Sequence, residues 1–167
     1  MDASAAPAVE YSKVVTVEVN GTSYEREVDA RRLLIHFIRD DLDLTGSHVG
    51  CDTGNCGACS VILDGTLVKS CMLLAIQADG ASIETVEGLA EEDELNALQQ
   101  AFRDHHALQC GYCTPGMLMS ATALLRESPR PSDEEIARGI QGNICRCTGY
   151  WNIAKAIKAA SGQEVTE

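Results

Sequence analysis

The sequence predicts an α+β protein in which a mixed α and β half is followed by a half built from helices. Three observations lead to this prediction. Apolar residues alternate with polar ones near the N-terminus, as in half-buried strands. Beyond about residue 88 they recur with the spacing of amphipathic helices. The eight cysteines form two groups of four, one in each half. We expect the domains to span residues 1–85 and 86–167.

The first half is predicted to begin with a β-hairpin. Val15, Val17 and Val19 alternate with polar residues. Asn20-Gly21 follows at once, and this dipeptide favours a tight hairpin because both turn residues must adopt positive φ. Residues 24–28 are therefore expected to form the returning strand.

A helix and three shorter strands complete the predicted first half. Asp29 is expected to cap a helix whose apolar face lies within residues 33–38. A glycine-rich loop at residues 46–59 follows, and Asp64-Gly65 indicates a second tight turn. The remaining strands are expected at residues 61–63, 67–71 and 83–86.

Four helices are predicted in the second half, with starts near residues 91, 114, 132 and 151. The acidic run at residues 91–94 suits a helix N-terminus, where the dipole favours negative charge. Thr114-Pro115 matches an N-cap followed by proline, and Ser132 with Glu135 matches a capping box. Gly142-Asn143 is expected to end the third helix. Tyr112 and Trp151 are interpreted as core residues of this half, with contacts to another subunit as the alternative.

Composition excludes several function classes. The formal net charge is −12 and aromatic residues make up 4% of the chain, which argues against binding of nucleic acid. No apolar stretch approaches the roughly 20 residues that cross a bilayer, and the N-terminus lacks the pattern of a signal peptide. We therefore expect a cytoplasmic protein with reduced thiols and no direct membrane insertion.

The first cysteine group lies mainly in the glycine-rich loop. Cys51, Cys56 and Cys59 follow the pattern C-x4-C-x2-C, and Cys71 lies further along the chain. This is the spacing of plant-type [2Fe-2S] sites, although the gap before the fourth cysteine is shorter than in many ferredoxins. Glycines in the loop allow the backbone to curl, so that amide groups can point at the sulfurs.

The second group pairs Cys110-x2-Cys113 with Cys145-x-Cys147. Side chains two residues apart do not share a helix face, so Cys145 and Cys147 must lie in a loop or at a helix end. Cys110 and Cys113 precede a predicted helix start, where the dipole stabilises thiolates. The pattern indicates a site formed by two connections between helices.

Other uses of these cysteines remain open on spacing alone. Disulfides are disfavoured by the reducing compartment and by the tight C-x-C pair. Structural zinc suits the second group better than the first, because zinc sites use paired C-x2-C units. A Rieske centre would need two histidine ligands paired with cysteines, which the spacing does not offer. No phosphate-binding loop or nucleophile elbow is present, so we weigh an electron-transfer subunit against a free-standing ferredoxin and a zinc-stabilised module.

Three runs carry a family resemblance: GCDTGNCGAC at residues 50–59, QCGYCTPG at 109–116 and GNICRCTGY at 142–150. Together, in this order, they resemble the iron–sulfur subunit of molybdenum hydroxylases of the xanthine oxidase family. The resemblance spans about residues 13–160. It implies a ferredoxin-like β-grasp domain followed by an all-α four-helix-bundle domain, each holding one [2Fe-2S] cluster.

The resemblance also implies roles for individual residues and partners. One cluster, nearer the flavin, would be held by Cys51, Cys56, Cys59 and Cys71. The other, nearer the molybdenum cofactor, would be held by Cys110, Cys113, Cys145 and Cys147. Gln109 and Cys147 match positions that approach the pterin. Electrons would pass from a large molybdopterin subunit through both clusters to FAD on a medium subunit, in a dimer of heterotrimers.

Within the family, the amino-acid sequences of the motifs are most like those of the small subunit of aerobic carbon monoxide dehydrogenases. The alternative is the small subunit of an N-heteroaromatic hydroxylase, which acts on a quinoline, nicotine or xanthine-type substrate, or of an aldehyde hydroxylase. The resemblance implies that the large subunit selects the substrate.

Overall fold

A five-stranded sheet forms most of the first half of the computed structural model, which describes residues 11–90 and 94–165. The strands are β1 (Ser12–Val19), β2 (Thr22–Asp29), β3 (Ser60–Leu63), β4 (Thr66–Lys69) and β5 (Ser82–Glu84). Their order is β2-β1-β5-β3-β4, with β1 and β5 parallel and the other neighbours antiparallel. Asn20 and Gly21 have φ of 51° and 77°, which confirms the predicted hairpin turn.

One helix packs against this sheet. Helix α1 (Leu34–His36) continues into a π-helical turn at Phe37–Asp41. Three of its apolar residues, Leu34, Phe37 and Ile38, are fully buried in one cluster with the inward-facing valines of β1. The predicted cap at Asp29 is wrong, because β2 extends through Asp29 and Leu33 occupies the cap position. The Asp29 carboxylate instead accepts hydrogen bonds from the backbone N–H and guanidinium of Arg31.

Two of the predicted strands are shorter than expected. Strand β4 ends at Lys69, and a 3-10 turn at Ser70–Met72 follows it, so Cys71 lies in that turn. Strand β5 ends at Glu84, and a 3-10 turn at Val86–Leu89 leads towards the second half. The polar turn residues of the sequence located the strands but not their exact ends.

The second half is helical in the part that the structure describes. It contains α2 (Ala97–Asp104), α3 (Thr114–Glu127), α4 (Asp133–Ile140) and α5 (Trp151–Ala160). Helix α2 packs against α5, and α4 packs against both α3 and α5. This confirms the predicted order of a mixed half followed by a helical half. None of the described helices is long and apolar enough to span a bilayer.

The helix starts differ from prediction in two places. Helix α2 begins at Ala97, where the Asn96 side chain caps it by accepting from the Gln99 N–H at 2.9 Å. Of the predicted acidic start, residues 91–93 lie outside the described residues. In α3, Thr114 is the first helical residue rather than the cap. The capping box of α4 is confirmed.

Strand β3 connects the two halves. Neighbouring residues of a strand point to opposite faces of its sheet. Val61 therefore joins the core beneath α1, whereas Ile62 joins the core of the helical half. Helix α3 packs against β3 on that second face.

Candidate metal centres

Three cysteines of the first group lie in the loop between α1 and β3, and the fourth, Cys71, lies in the turn after β4. The Sγ atom of Cys51 accepts hydrogen bonds from the backbone N–H groups of Thr53 and Cys56, each at 3.4 Å. Cys59 and Cys71 are buried together beside Ile35. The loop therefore directs amide donors at a sulfur, as its glycine content predicted.

The protonation of these thiols follows their surroundings. Hydrogen bonds from Thr53 and Cys56 lower the pKa of Cys51 to about 6. Burial raises the pKa of the Cys71 thiol to about 11, and the neighbouring Cys59 adds to this effect. A metal that binds here must displace the proton from the buried thiol, because thiolates are the ligating form.

The second cysteine group lies in the connections α2–α3 and α4–α5. The Sγ atoms of Cys110 and Cys147 are 3.5 Å apart, and both residues are exposed. Cys145 is buried, and its sulfur lies 3.1 Å from the Thr148 hydroxyl. Burial raises the pKa of Cys113 to about 12. Two loops distant in sequence thus bring these thiols to one end of the helical half.

The two cysteine groups lie in loops that contact each other directly. The N–H of Ile144, next to Cys145, donates to the carbonyl of Cys56 at 2.8 Å. Gly116 of α3 lies against the Gly57 carbonyl, and a Cβ atom added at Gly116 would clash with that carbonyl. Gly57 itself has a φ of +75°, which favours glycine. The backbones of the two sites are therefore in contact without intervening side chains.

A second bridge involves Tyr112, which lies between Cys110 and Cys113. Its hydroxyl donates to the Val49 carbonyl at 2.5 Å, and its own carbonyl contacts His48 Nδ1 at 2.8 Å. The two rings stack with centroids 4.7 Å apart. This long-range contact has no local sequence signal, and sequence analysis missed it.

Three exposed large apolar side chains lie close in sequence to cysteines of the second group. Tyr112 is 50% and Trp151 67% exposed, so their interpretation as core residues is wrong. Ile144 is 57% exposed, and Gln109 is also exposed beside Cys110.

The residues present fit [2Fe-2S] clusters. Each group supplies four cysteine thiols, the donor set of such a cluster, and the first group adds amide donors to sulfur. Within residues 11–90 and 94–165, no three His, Cys, Asp or Glu side chains are arranged to hold a single metal ion. The choice between iron–sulfur clusters and zinc therefore depends on comparison with known proteins.

Two domain families match the chain. The family described as "2Fe-2S iron-sulfur cluster binding domain" matches residues 17–82, and the family described as "[2Fe-2S] binding domain" matches residues 85–158. The matches define a protein with two [2Fe-2S]-binding regions in tandem.

Relatives identify the family more closely. The gamma subunit of caffeine dehydrogenase from Pseudomonas sp. (strain CBB1) is 54% identical over 90% of this chain and 92% of its own length. The small subunit of nicotine 6-hydroxylase from Paenarthrobacter nicotinovorans is 52% identical over 89% of this chain and 90% of its own. The structure of quinoline 2-oxidoreductase from Pseudomonas putida 86 matches with a TM-score of 0.89 and 45% identity, covering 91% of this chain and 95% of that one. The chain belongs to the family of iron–sulfur subunits of molybdenum hydroxylases, and it is a small [2Fe-2S] subunit of an oxidoreductase complex.

Proposed function

We propose that the chain relays electrons between redox centres on two partner subunits, by means of two [2Fe-2S] clusters bound to its eight cysteines. The first cluster is assigned to Cys51, Cys56, Cys59 and Cys71, and the second to Cys110, Cys113, Cys145 and Cys147. The observation that carries the proposal is the direct backbone contact between the two groups, Ile144 N–H to Cys56 O at 2.8 Å.

When bound, each cluster accepts and releases one electron. The chain's residues set the conditions for that transfer. The amides of Thr53 and Cys56 offset negative charge on Cys51, and the buried Cys59 and Cys71 keep water from the inner side of their site. At the second site, the Thr148 hydroxyl lies against Cys145. The hydrogen bond from the Ile144 N–H, next to Cys145, to the carbonyl of Cys56 gives a short covalent and hydrogen-bonded path from one group to the other.

We take the direction of transfer from the family resemblance, and the exposure of the second cysteine group supports it. Cys110 and Cys147 are exposed, and so are three large apolar side chains close to the second cysteine group in sequence, those of Tyr112, Ile144 and Trp151. We assign this face to a large subunit with the molybdopterin cofactor, with Gln109 and Cys147 towards the pterin. The first group then passes electrons to FAD on a medium subunit. The name "subunit gamma" of one relative supports a multi-subunit complex.

For the substrate of the complex, we propose an N-heteroaromatic compound. The relatives with high identity are named for caffeine and nicotine, and the matching structure is named for quinoline. These names support the alternative from the sequence analysis over carbon monoxide, which none of them mentions.

Several finer features belong to the same proposal. We assign the domain boundary to residues 85 and 86, a β-grasp topology to the mixed sheet and a four-helix bundle to α2–α5. The complex is proposed to be a cytoplasmic dimer of heterotrimers.

The test begins with iron and acid-labile sulfide per chain and an EPR spectrum of the reduced protein. We expect about four of each and two distinct rhombic signals. Zinc, or half that iron, would overturn the two-cluster assignment. Co-purification should then recover two larger chains. Adding caffeine, nicotine or quinoline to that complex anaerobically should bleach the clusters, whereas bleaching by carbon monoxide alone would refute the substrate assignment.

A further inference from the structure

Lys69 lies where the two halves meet. It is the last residue of β4 and pairs with Ser60 of β3. Its ammonium group donates to the Ser60 hydroxyl at 3.2 Å and, across the junction, to the Gly142 carbonyl at 2.6 Å. Gly142 follows the end of α4, where the helix dipole is negative. The ammonium therefore joins the edge of the sheet to a helix end of the other half.

The partners of Lys69 belong to the segments that carry the cysteines. Ser60 directly follows Cys59, and its hydroxyl donates to the Gly57 carbonyl at 2.8 Å. On the other side, Gly142 stands three residues before Cys145. One ammonium group thus contacts both cysteine-bearing segments.

Within residues 11–90 and 94–165, Lys69 forms no ion pair with a carboxylate. Other basic residues in the described part of the chain, such as Lys13 and Arg126, do pair with carboxylates. The two acceptors of Lys69 are a hydroxyl and a backbone carbonyl, which carry no formal charge. Among the described residues, Lys69 therefore brings to the junction a positive charge that has no ion-pair partner.

We propose that Lys69 is a positioning residue that holds the two cluster loops together and raises the reduction potential of both clusters. This inference rests on the proposed function, because it requires clusters on both cysteine groups. A [2Fe-2S] cluster gains one unit of negative charge when it accepts an electron. A positive charge held between the two cysteine-bearing segments stabilises that reduced state, and because Lys69 is only partly buried the effect weakens as ionic strength rises.

The experiment is an EPR-monitored redox titration of the full chain with its clusters bound. The variants are Lys69→Met, which removes the charge and both hydrogen bonds, and Lys69→Gln, which keeps a donor for the Gly142 carbonyl. Lys69→Arg retains the charge. Lys13→Met is the matched control, because Lys13 is half exposed and already paired with Asp79 at 2.8 Å.

We expect the Met and Gln variants to lower the reduction equilibrium constant of both clusters by about tenfold, which is ~59 mV for a one-electron couple. Lys69→Arg and Lys13→Met should leave both potentials in place. If Lys69→Met fails to fold, Lys69→Gln decides the question. Unchanged potentials with both signals retained, or an equal shift in Lys13→Met, would overturn the role of Lys69. Absence of two signals in the unaltered chain would instead overturn the proposed function and this inference with it.

Discussion

Replacement of Gly116 by alanine tests the direct backbone contact between the two cysteine-bearing loops. The new methyl group would clash with the carbonyl of Gly57. That carbonyl cannot turn away easily, because it accepts from the Ser60 N–H at 3.1 Å and from the Ser60 hydroxyl at 2.8 Å. Helix α3 must therefore move away from the loop to accommodate the change.

Two opposing terms set the size of this effect. Alanine is up to about 1 kcal/mol more favourable than glycine inside a helix. Overpacking against a fixed backbone costs about 1–3 kcal/mol, so we expect a net loss of about 1–2 kcal/mol. For a chain of this size, that corresponds to a fall in Tm of about 2–8 °C.

Gly139→Ala is the matched control for this change. Gly139 also lies in a helix, but its added methyl group would meet the end of the Leu124 side chain, which can rotate. We expect this variant to equal or exceed the unaltered chain in Tm.

The assay is thermal unfolding of the cluster-bound protein, followed together by far-ultraviolet circular dichroism and by visible absorbance of the clusters. For Gly116→Ala we expect cluster absorbance and helicity to be lost at a lower temperature. A Gly116→Ala protein as stable as the unaltered one, or an equal loss in Gly139→Ala, would show that the loops are not in the tight contact described.

Three further changes probe the sites and the packing. Cys110→Ser should remove about half of the iron and one EPR signal while the other persists; loss of both signals would contradict independent sites. Phe102→Ala should destabilise the helical half by about 3–5 kcal/mol, because Phe102 is 1% exposed, and a smaller change in chemical unfolding would mean that the core collapses around the gap. The ion pair of Arg126 with Glu84 lowers the pKa of that carboxyl, so it stabilises the fold above the unfolded value of about 4.3 and the effect disappears as pH falls through the lower folded value. Arg126→Met should cost about 0.5–1 kcal/mol at pH 7, with the pair partly exposed, and should match the unaltered chain once pH has fallen below the lowered pKa of Glu84. A difference that persists there would assign the effect to packing.

The sequence predicted the features that local chemistry determines. Asn20-Gly21 and Asp64-Gly65 turn with positive φ where expected, because few other residues adopt that backbone conformation. The capping box of Ser132 and Glu135 also forms as predicted, since its partners are three residues apart. Cysteine spacing and the family resemblance together indicated the class of protein.

What the sequence could not predict depends on contacts between distant residues. Asp29 has the chemistry of a helix cap, but pairing of β2 with β1 extends the strand through that position. Tyr112 has a large aromatic side chain like that of a core residue, yet it lies at the surface, where its hydroxyl donates to the Val49 carbonyl. Lys69 contacts Gly142, 73 positions away, and no local pattern signals such a contact.

The parallel pairing of β1 with β5 has a consequence for synthesis of the chain on the ribosome. Glu18 pairs with Ser82, and Val19 with Ile83, so the centre of the sheet joins residues made more than sixty positions apart. The hairpin of β1 and β2 can form early, but the sheet cannot close until β5 has emerged from the ribosomal tunnel. By then the nascent chain already presents the first four cysteines in order. During translation, the first four thiols are therefore present in the nascent chain before the core of the first half can be completed.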